Sequence, residues 1–353
     1  MCSIRTLREL NFSSAPKEIL YRRKRLGILQ IVPLKVAMHT SLPCQVIERS
    51  MKKCLRHYTG LLIVIISLFA APLMKDVIAA SPELEKPGKQ IVRFSAITLY
   101  HPIVMYQKYQ PLMAFLSENT SYQFELKLSQ NYDDIIQFLK EDQVQIALLG
   151  GVTYLAAKEQ FNVVPVLKPL GEDGTPYYRS VFITRAGNDQ INGITDLAGK
   201  SVAFASRMST SGYIAPLYEL YTKGGMTLDD LSKHVNLKYH DAVAREVLRG
   251  NFEAGVVINS VASRFSNKGL KVIHISDPIP GLPIVARTDA PLEMIQEIKK
   301  ALLGLDYRNP SHRKILDQWD EEFKYGFAEA SVSDYEIIGT MIRYLAQQGV
   351  KTP

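Results

Sequence analysis

Short apolar segments typical of β-strands alternate with helical patterns from residue 91 onward. The first series contains IVRFSAIT (91–98), YQFELKLS (122–129) and VQIALLGG (144–151), and a second series begins with SVAFAS (201–206). Strands that alternate with helices favour parallel sheets covered by helices on both faces. The sequence therefore predicts an α/β protein with two lobes, each a mostly parallel sheet flanked by helices. The C-terminal part is predicted to be helical at 291–305, 309–323 and 333–348.

The net charge of +7 comes from the N-terminal part of the chain. Residues 1–80 contain thirteen Lys and Arg against four Asp and Glu, so the remainder carries a charge of −2. A nucleic-acid-binding function therefore loses its main support. Cys2, Cys44 and Cys54 also lie in this part. The body of the chain consequently offers no thiolate nucleophile and no cysteine ligand for zinc.

An apolar segment, LLIVIISLFAAPLM (61–74), follows a basic stretch and precedes small residues. This arrangement is typical of a secretory signal peptide, and the segment is shorter than the about 20 residues of a membrane-spanning helix. We predict a signal peptide or signal anchor at 51–81, a linker at 82–90 and export to the periplasm. For residues 1–50 we favour an upstream extension from a misassigned start codon over a cytoplasmic tail.

The segment SVAFASRMSTSGY (Ser201–Tyr213) places three hydroxyl side chains between a strand and a helix, at Ser209, Thr210 and Ser211. The first turn of a helix leaves backbone N–H groups free and carries the positive end of the helix dipole. Hydroxyl and N–H donors at one point can bind an oxyanion. An ordinary helix N-cap explains the same residue types, and both interpretations stay open on this segment alone.

Polar residues also follow other predicted strands, at the edge where ligands bind in open α/β sheets. Tyr100 follows the first strand, Gly151 and Tyr154 follow the third, and His240 follows VNLKY. The sequence has no phosphate-loop, dinucleotide or metal-binding motif, so we predict no cofactor, no metal site and no catalytic residue. A serine hydrolase that uses Ser209 or Ser211 with His240 is a less favoured alternative, because no GxSxG motif is present.

Six segments together resemble a known family. They are KYQPLMAFLSEN, DDIIQFLKEDQVQIALLGGVTYLAAKE, YYRSVFITRAG, DLAGKSVAFASRMSTSGY, YHDAVAREVLRGNFEAGVV and DPIPGLPIVAR. Over about 91–330, the chain resembles the phosphate/phosphite/phosphonate family of periplasmic substrate-binding proteins of ABC transporters. The resemblance implies a two-lobed fold like that of the type II periplasmic binding proteins, with the ligand between the lobes. It places lobe 1 at 91–180 plus 285–353 and lobe 2 at 181–284, with crossings near Tyr178–Phe182 and Pro283–Ala286.

The same resemblance implies a site and a set of partners. The ligand-binding residues carried over are Ser209, Thr210, Ser211, His240, Tyr100 and Tyr154, with Gly151, Tyr178, Arg207 and Asn259 as additional candidates. His240 can donate a hydrogen bond or add positive charge near neutral pH. The implied protein is a monomeric, non-enzymatic binder that captures a small phosphorus oxyanion for an ABC transporter permease. A periplasmic sensory protein of the same fold, serving a signalling receptor, is the alternative.

Two departures from the family pattern bear on the ligand. Arg207 stands where the family usually has an acidic residue, and it either approaches the anion or points to solvent. Members of the family that bind aminophosphonates carry a carboxylate after the strand that matches residues 254–258. Here that position holds Asn259 and Ser260. The absence of an acid there favours phosphate, phosphite or a small alkylphosphonate.

Overall fold

The computed structural model describes residues 88–353, which form one compact unit. The predictions for residues 1–50 and 51–81, and most of the linker prediction, lie outside the described residues. Within 88–353, no helix combines the length and the apolar character needed to cross a membrane.

The first lobe is built on a six-stranded sheet. Its strands are β1 (Gln90–Ala96), β2 (Tyr122–Leu126), β3 (Ile146–Leu148), β4 (Val163–Pro169), β12 (Ile284–Arg287) and β13 (Phe327–Glu329). They lie in the order β13-β4-β12-β3-β1-β2. The helices in this part of the chain are α1 (Pro102–Asn119), α2 (Tyr132–Lys140), α3 (Gly151–Gln160), α7 (Leu292–Leu303), α8 (Pro310–Leu316) and α9 (Glu336–Gln347).

The second lobe is built on a five-stranded sheet. Its strands are β6 (Ser180–Arg185), β7 (Ser201–Phe204), β8 (Lys233–Asn236), β9 (Ala254–Ile258) and β10 (Leu270–Ile275). They lie in the order β10-β6-β9-β7-β8. The helices are α4 (Ala215–Thr222), α5 (His240–Arg249) and α6 (Asn259–Ser266). Strand β9 is completely buried, as expected for a central strand covered on both faces.

Two short strands pair where the chain passes between the sheets. Strand β5 (Tyr177–Tyr178) precedes β6, strand β11 (Ile279–Pro280) precedes β12, and the two pair antiparallel. The C-terminal helix α9 contacts both α3 and α4, and the rings of Tyr218 and Tyr344 meet edge to face at 5.2 Å. Helix α9 therefore packs against both lobes. The lobe ranges given above stay a prediction.

The two-lobed α/β fold predicted from the sequence is confirmed, but its sheets are mixed. Strand β12 runs antiparallel to β3 and β4, and β6 runs antiparallel to β9 and β10. Strand β13 also runs antiparallel to β4, and the other strands of each sheet share one direction, so the prediction of mostly parallel sheets holds for the majority of the strands.

Local predictions succeeded where capping chemistry was clear. Asn131 caps α2 by accepting from the backbone N–H groups of Asp133 and Asp134, the role that an Asn directly before a helix favours. Some elements differ from their predictions. The helix predicted at 309–323 was too long, because α8 ends at Leu316.

Helix α6 and strand β13 were not predicted. His240 is the first residue of α5, after a strand that ends four residues earlier.

Candidate functional site

The three hydroxyl residues lie on a wide turn that leads into α4. Their exposed fractions are 3% for Ser209, 1% for Thr210 and 2% for Ser211. The Ile214 N–H donates to the Ser209 carbonyl at 3.2 Å, and the Gly212 N–H donates to the Ser209 Oγ at 3.0 Å. Ser209 is therefore an N-cap, as the simpler interpretation held, but three hydroxyls buried together exceed what a cap needs.

His240 is held between Ser209 and strand β9. The Ile258 N–H donates to His240 Nδ1 at 3.0 Å, and His240 Nε2 lies 3.1 Å from Ser209 Oγ. Because Nδ1 accepts a hydrogen bond, the neutral ring carries its proton on Nε2 and donates it to Ser209. Burial lowers the pKa of His240 to about 3. The expectation that His240 adds positive charge near neutral pH is therefore wrong, whereas its role as a donor is retained.

The hydroxyl of Ser209 is consequently fixed as a hydrogen-bond donor. Its oxygen accepts from both the Gly212 N–H and the His240 Nε2–H. A hydroxyl has two acceptor lone pairs and one proton, so the remaining proton of Ser209 is available only as a donor. A serine nucleophile needs a base that accepts this proton, with Nδ1–H of that base held by an acid. His240 has the opposite tautomer, and this geometry argues against the hydrolase alternative.

Gly212 makes this contact sterically feasible. A Cβ atom on Gly212 would lie 2.8 Å from His240 Cε1 and 2.9 Å from Ser209 Oγ. Both distances are shorter than carbon and oxygen atoms tolerate without a shift of their neighbours. A glycine is thus required where the turn meets the imidazole ring.

Thr210 connects the turn to the other lobe. Its Oγ1 accepts from the Val152 N–H at 3.0 Å, and the Thr153 hydroxyl donates to the Met208 carbonyl at 3.2 Å. These contacts join the N-terminus of α3 to the turn, so the cleft between the lobes is closed at this point. Gly151 is buried here and has no room for a Cβ, because Ile338 of α9 packs directly against it.

Four tyrosine hydroxyls are buried in the described part of the chain without a hydrogen-bond partner there: Tyr109, Tyr132, Tyr154 and Tyr178. Burial raises the pKa of Tyr132, and the nearby Ser209 hydroxyl partly offsets that rise. Burial likewise raises the pKa of Tyr178, and the hydroxyls of Thr210 and Ser211 lower it in part. Both phenols therefore stay protonated near the turn and can donate. A buried donor without a partner in the protein is costly unless a ligand or water satisfies it.

Tyr132 was missed by sequence reasoning, although a usable signal was present. It follows strand β2 and the capping residue Asn131, just as Tyr100 follows β1. The rule that ligands bind beyond the carboxyl ends of parallel strands applies to both positions.

The remaining candidates are spread around this centre. Tyr154 packs edge to face on Tyr335, with ring centres 5.1 Å apart. Tyr100 is buried, and the Arg264 guanidinium lies 4.6 Å from its ring centre. Arg207 is exposed and its guanidinium lies near the ring of Tyr213 at 5.9 Å, so it points to solvent.

Asn259 begins α6, and its Oδ1 accepts from the Arg179 N–H at 3.3 Å. A carboxylate that the sequence did not predict lies close to it. Glu322 accepts a hydrogen bond from the hydroxyl of Ser260, the residue after Asn259. Burial, and next the charge of Asp320, raise the pKa of Glu322 to about 8. No local signal identified Glu322, because it lies 62 residues from its partner and within a segment predicted to be an ordinary helix.

The pKa of His240 predicts how stability depends on pH. The folded pKa lies below the ordinary value of 6.5, so the unfolded chain binds a proton more readily. This residue's contribution to stability is complete above pH 6.5 and is lost as the pH falls from 6.5 towards 3, by up to about 1.4 kcal/mol per pH unit. We expect His240→Asn to reduce the change in the free energy of unfolding between pH 6.5 and 3, as measured by denaturant titrations at several pH values. His234→Asn, at an exposed position, is the control. If the free energy of unfolding depends on pH equally in both variants, the prediction is contradicted.

The described residues contain no cluster of three or more His, Cys, Asp or Glu side chains suited to a metal ion. The arrangement that they do contain is a set of neutral donors: Ser209, Thr210, Tyr132, Tyr178 and the Nε2–H of His240 behind Ser209. Hydroxyl donors in a closed, desolvated cleft suit an oxyanion with several acceptor atoms.

The chain is similar to proteins whose names record phosphate or phosphonate binding. The phosphate-import protein PhnD of Mycolicibacterium smegmatis is 27% identical over 228 residues, which cover 60% of this chain and 70% of that protein. The phosphonates-binding periplasmic protein of Escherichia coli is 26% identical over 287 residues, covering 77% and 82%. The structure of PhnD1 from Prochlorococcus marinus in complex with methylphosphonate gives a TM-score of 0.64 at 22% identity, covering 73% of this chain and 99% of that chain.

The family described as "ABC transporter, phosphonate, periplasmic substrate-binding protein" matches residues 94–335. This match includes β1 to β13 except for the first few residues of β1, and therefore nearly the whole of both sheets. It also includes the hydroxyl turn, His240 and Glu322. The chain belongs to the family of periplasmic substrate-binding proteins of phosphonate ABC transporters.

Proposed function

We propose that the protein captures a phosphorus oxyanion (phosphate, phosphite or a small phosphonate) between its lobes and delivers it to an ABC importer. The observation that carries this proposal is the hydroxyl of Ser209. Both of its lone pairs are occupied by protein donors, so its proton is available to donate to a ligand. An oxyanion oxygen is the acceptor that best fits a donor fixed in this way.

The other donors complete the proposed site. Thr210 and Ser211 lie on the same turn, and Tyr100 and Tyr154 come from the first lobe. We add Tyr132 and Tyr178, because their buried hydroxyls have no partner among residues 88–353. His240 acts through Ser209 and contributes no charge. Closure of the cleft strengthens each hydrogen bond by excluding water, which is how a neutral donor set holds an anion firmly.

Export and delivery follow from the same proposal. We propose that residues 51–81 direct the chain to the periplasm as a signal peptide or signal anchor. The partner there is an ABC transporter permease, and the protein acts as a monomer without a cofactor. Delivery to a signalling receptor is the alternative partner. It would be favoured if deletion of the permease left the response to phosphonate intact.

A thermal-shift panel on the full-length chain tests the function. We expect phosphate, phosphite or methylphosphonate at about 100 times its dissociation constant to stabilise the protein by about 2.7 kcal/mol. For a body of this size that corresponds to a rise in melting temperature of roughly 5–10 °C. Sulfate is the control for general anion effects. The proposal fails if no phosphorus oxyanion raises the melting temperature more than sulfate does.

A further inference from the structure

A pocket with four basic side chains lies where the second lobe meets the start of α1. Its volume is about 600 Å³, and the four bases, here called the basic pocket, are Arg245, Arg249, Arg264 and Lys268. Val104, in the first turn of α1, also lines the pocket. The wall therefore contains residues from both lobes, and the pocket lies at the boundary between them.

Helical spacing brings these bases to one surface. Arg245 and Arg249 are four residues apart on α5, and Arg264 and Lys268 are four residues apart at the end of α6. Side chains at this spacing share one helix face, and α5 contacts α6. Bases near a helix C-terminus also stabilise the helix dipole, but that effect does not require two helices to direct them to a common point.

Three of the four cations converge on the ring of Phe265. The Arg245 and Arg264 guanidinium groups lie 5.8 and 5.5 Å from its centre, and the Lys268 ammonium group lies 4.9 Å from it. Charges of one sign at this separation repel each other. An anion bound among them replaces this repulsion with attraction, and its oxygens can accept charge-assisted hydrogen bonds.

Acidic neighbours offset only part of this charge. Asp241 lies 3.4 Å from Arg245, and Glu246 lies 2.6 Å from Arg249. Within residues 88–353, the other two bases of the pocket form no ion pair. Four bases and two acids leave a charge of +2 here, whereas the chain after residue 80 carries −2. The basic pocket is thus a local attractor for anions on an otherwise slightly acidic body.

Arg264 connects the basic pocket to the proposed cleft site. Its guanidinium group lies 4.6 Å from the ring centre of Tyr100, a residue of the first lobe and a member of the proposed donor set. The donors of the cleft are neutral, and His240 adds no charge there. Neutral donors hold an oxyanion at hydrogen-bond distance but attract it only weakly from afar, whereas clustered charges act over a Debye length.

We propose that the basic pocket is an outer binding site for phosphorus oxyanions, from which they enter the cleft beside Tyr100. This inference rests on the proposed function, because the anion that it collects is the one that the hydroxyl turn binds. The bases raise the local concentration of the anion at the boundary between the lobes. They therefore increase the rate of association and do not contribute to holding the anion once the cleft has closed.

The test is the association rate of the tightest-binding of phosphate, phosphite and methylphosphonate, measured by stopped-flow fluorescence on the full-length chain. The double variant Arg249→Gln/Lys268→Gln removes two exposed charges that do not contact Tyr100. In about 10 mM salt, where the Debye length is about 30 Å, we expect it to associate about tenfold more slowly and to dissociate at the wild-type rate. In about 1 M salt the two proteins should associate equally fast.

The matched control is Lys158→Gln/Arg343→Gln. These two exposed bases line a different pocket, between α3 and α9, and their removal changes the net charge by the same amount. The control should keep the wild-type association rate at both salt concentrations. Titration calorimetry gives an independent check, because a tenfold slower association at constant dissociation raises the dissociation constant about tenfold.

The outcomes separate this inference from the proposed function. If the Arg249/Lys268 double variant associates as fast as wild type in low salt, or if the control slows equally, the outer site is refuted and the oxyanion-binding function stands. A change confined to the dissociation rate also overturns the inference. If wild-type protein binds none of the three anions, the function and the inference fail together.

Discussion

Replacing Thr210 by valine is expected to weaken binding of the best phosphorus oxyanion by about 1.5–3 kcal/mol, or roughly 10- to 150-fold. Valine keeps the shape of the side chain but removes the hydroxyl. The ligand loses a donor in a desolvated cleft, and the Val152 N–H loses its acceptor across the lobes. Both losses act on the closed, ligand-bound state, so the effect on affinity should exceed the effect on stability.

Calorimetry with phosphite and methylphosphonate measures this loss. Thr184→Val is the matched control, because Thr184 is equally buried but bonds to the Glu253 carbonyl inside the second lobe. Thr210→Ser retains a hydroxyl and should recover much of the affinity. If Thr210→Val binds as tightly as the wild type, the hydroxyl turn is not the oxyanion site.

Replacing His240 by alanine is expected to lower the free energy of unfolding by about 3–5 kcal/mol and to abolish measurable binding. The imidazole is buried, and its removal leaves a cavity between α5 and β9. It also leaves the Ile258 N–H without an acceptor and Ser209 without a donor. Gly212 lies against the ring and has no side chain with which to fill the space.

Denaturant titration of His240→Ala should be compared with His312→Ala. His312 Nδ1 also accepts a backbone N–H, that of Asp306 at 3.1 Å, but the residue is only partly buried. We expect the His312 variant to lose about 1 kcal/mol, since water can replace the lost contact. Equal losses in the two variants would show that the buried position of His240 does not matter. Binding that survives in a folded His240→Ala protein would contradict its role in orienting Ser209.

Sequence reasoning succeeded where the chemistry is local. The cap at Asn131 depends on residues within one helical turn of each other, and the hydroxyl turn is a contiguous segment. The two-lobed fold was likewise indicated by alternation along the chain. The sequence did not predict contacts between residues that are distant in the chain. Nothing near His240 reveals that Ile258 donates to its Nδ1, and that single hydrogen bond decides both its tautomer and its charge.

By itself, the sequence determined that the body is an α/β protein with a cluster of hydroxyl donors at Ser209–Ser211. It also excluded cysteine chemistry there, because residue types and spacing are properties of the chain. The packing of the folded chain sets which groups face those hydroxyls. It made Ser209 a fixed donor, placed Tyr132 and Tyr178 beside the turn, and brought Glu322 next to Ser260. Hydrogen bonds and pKa shifts depend on distance and burial, which packing sets between residues that are far apart in sequence.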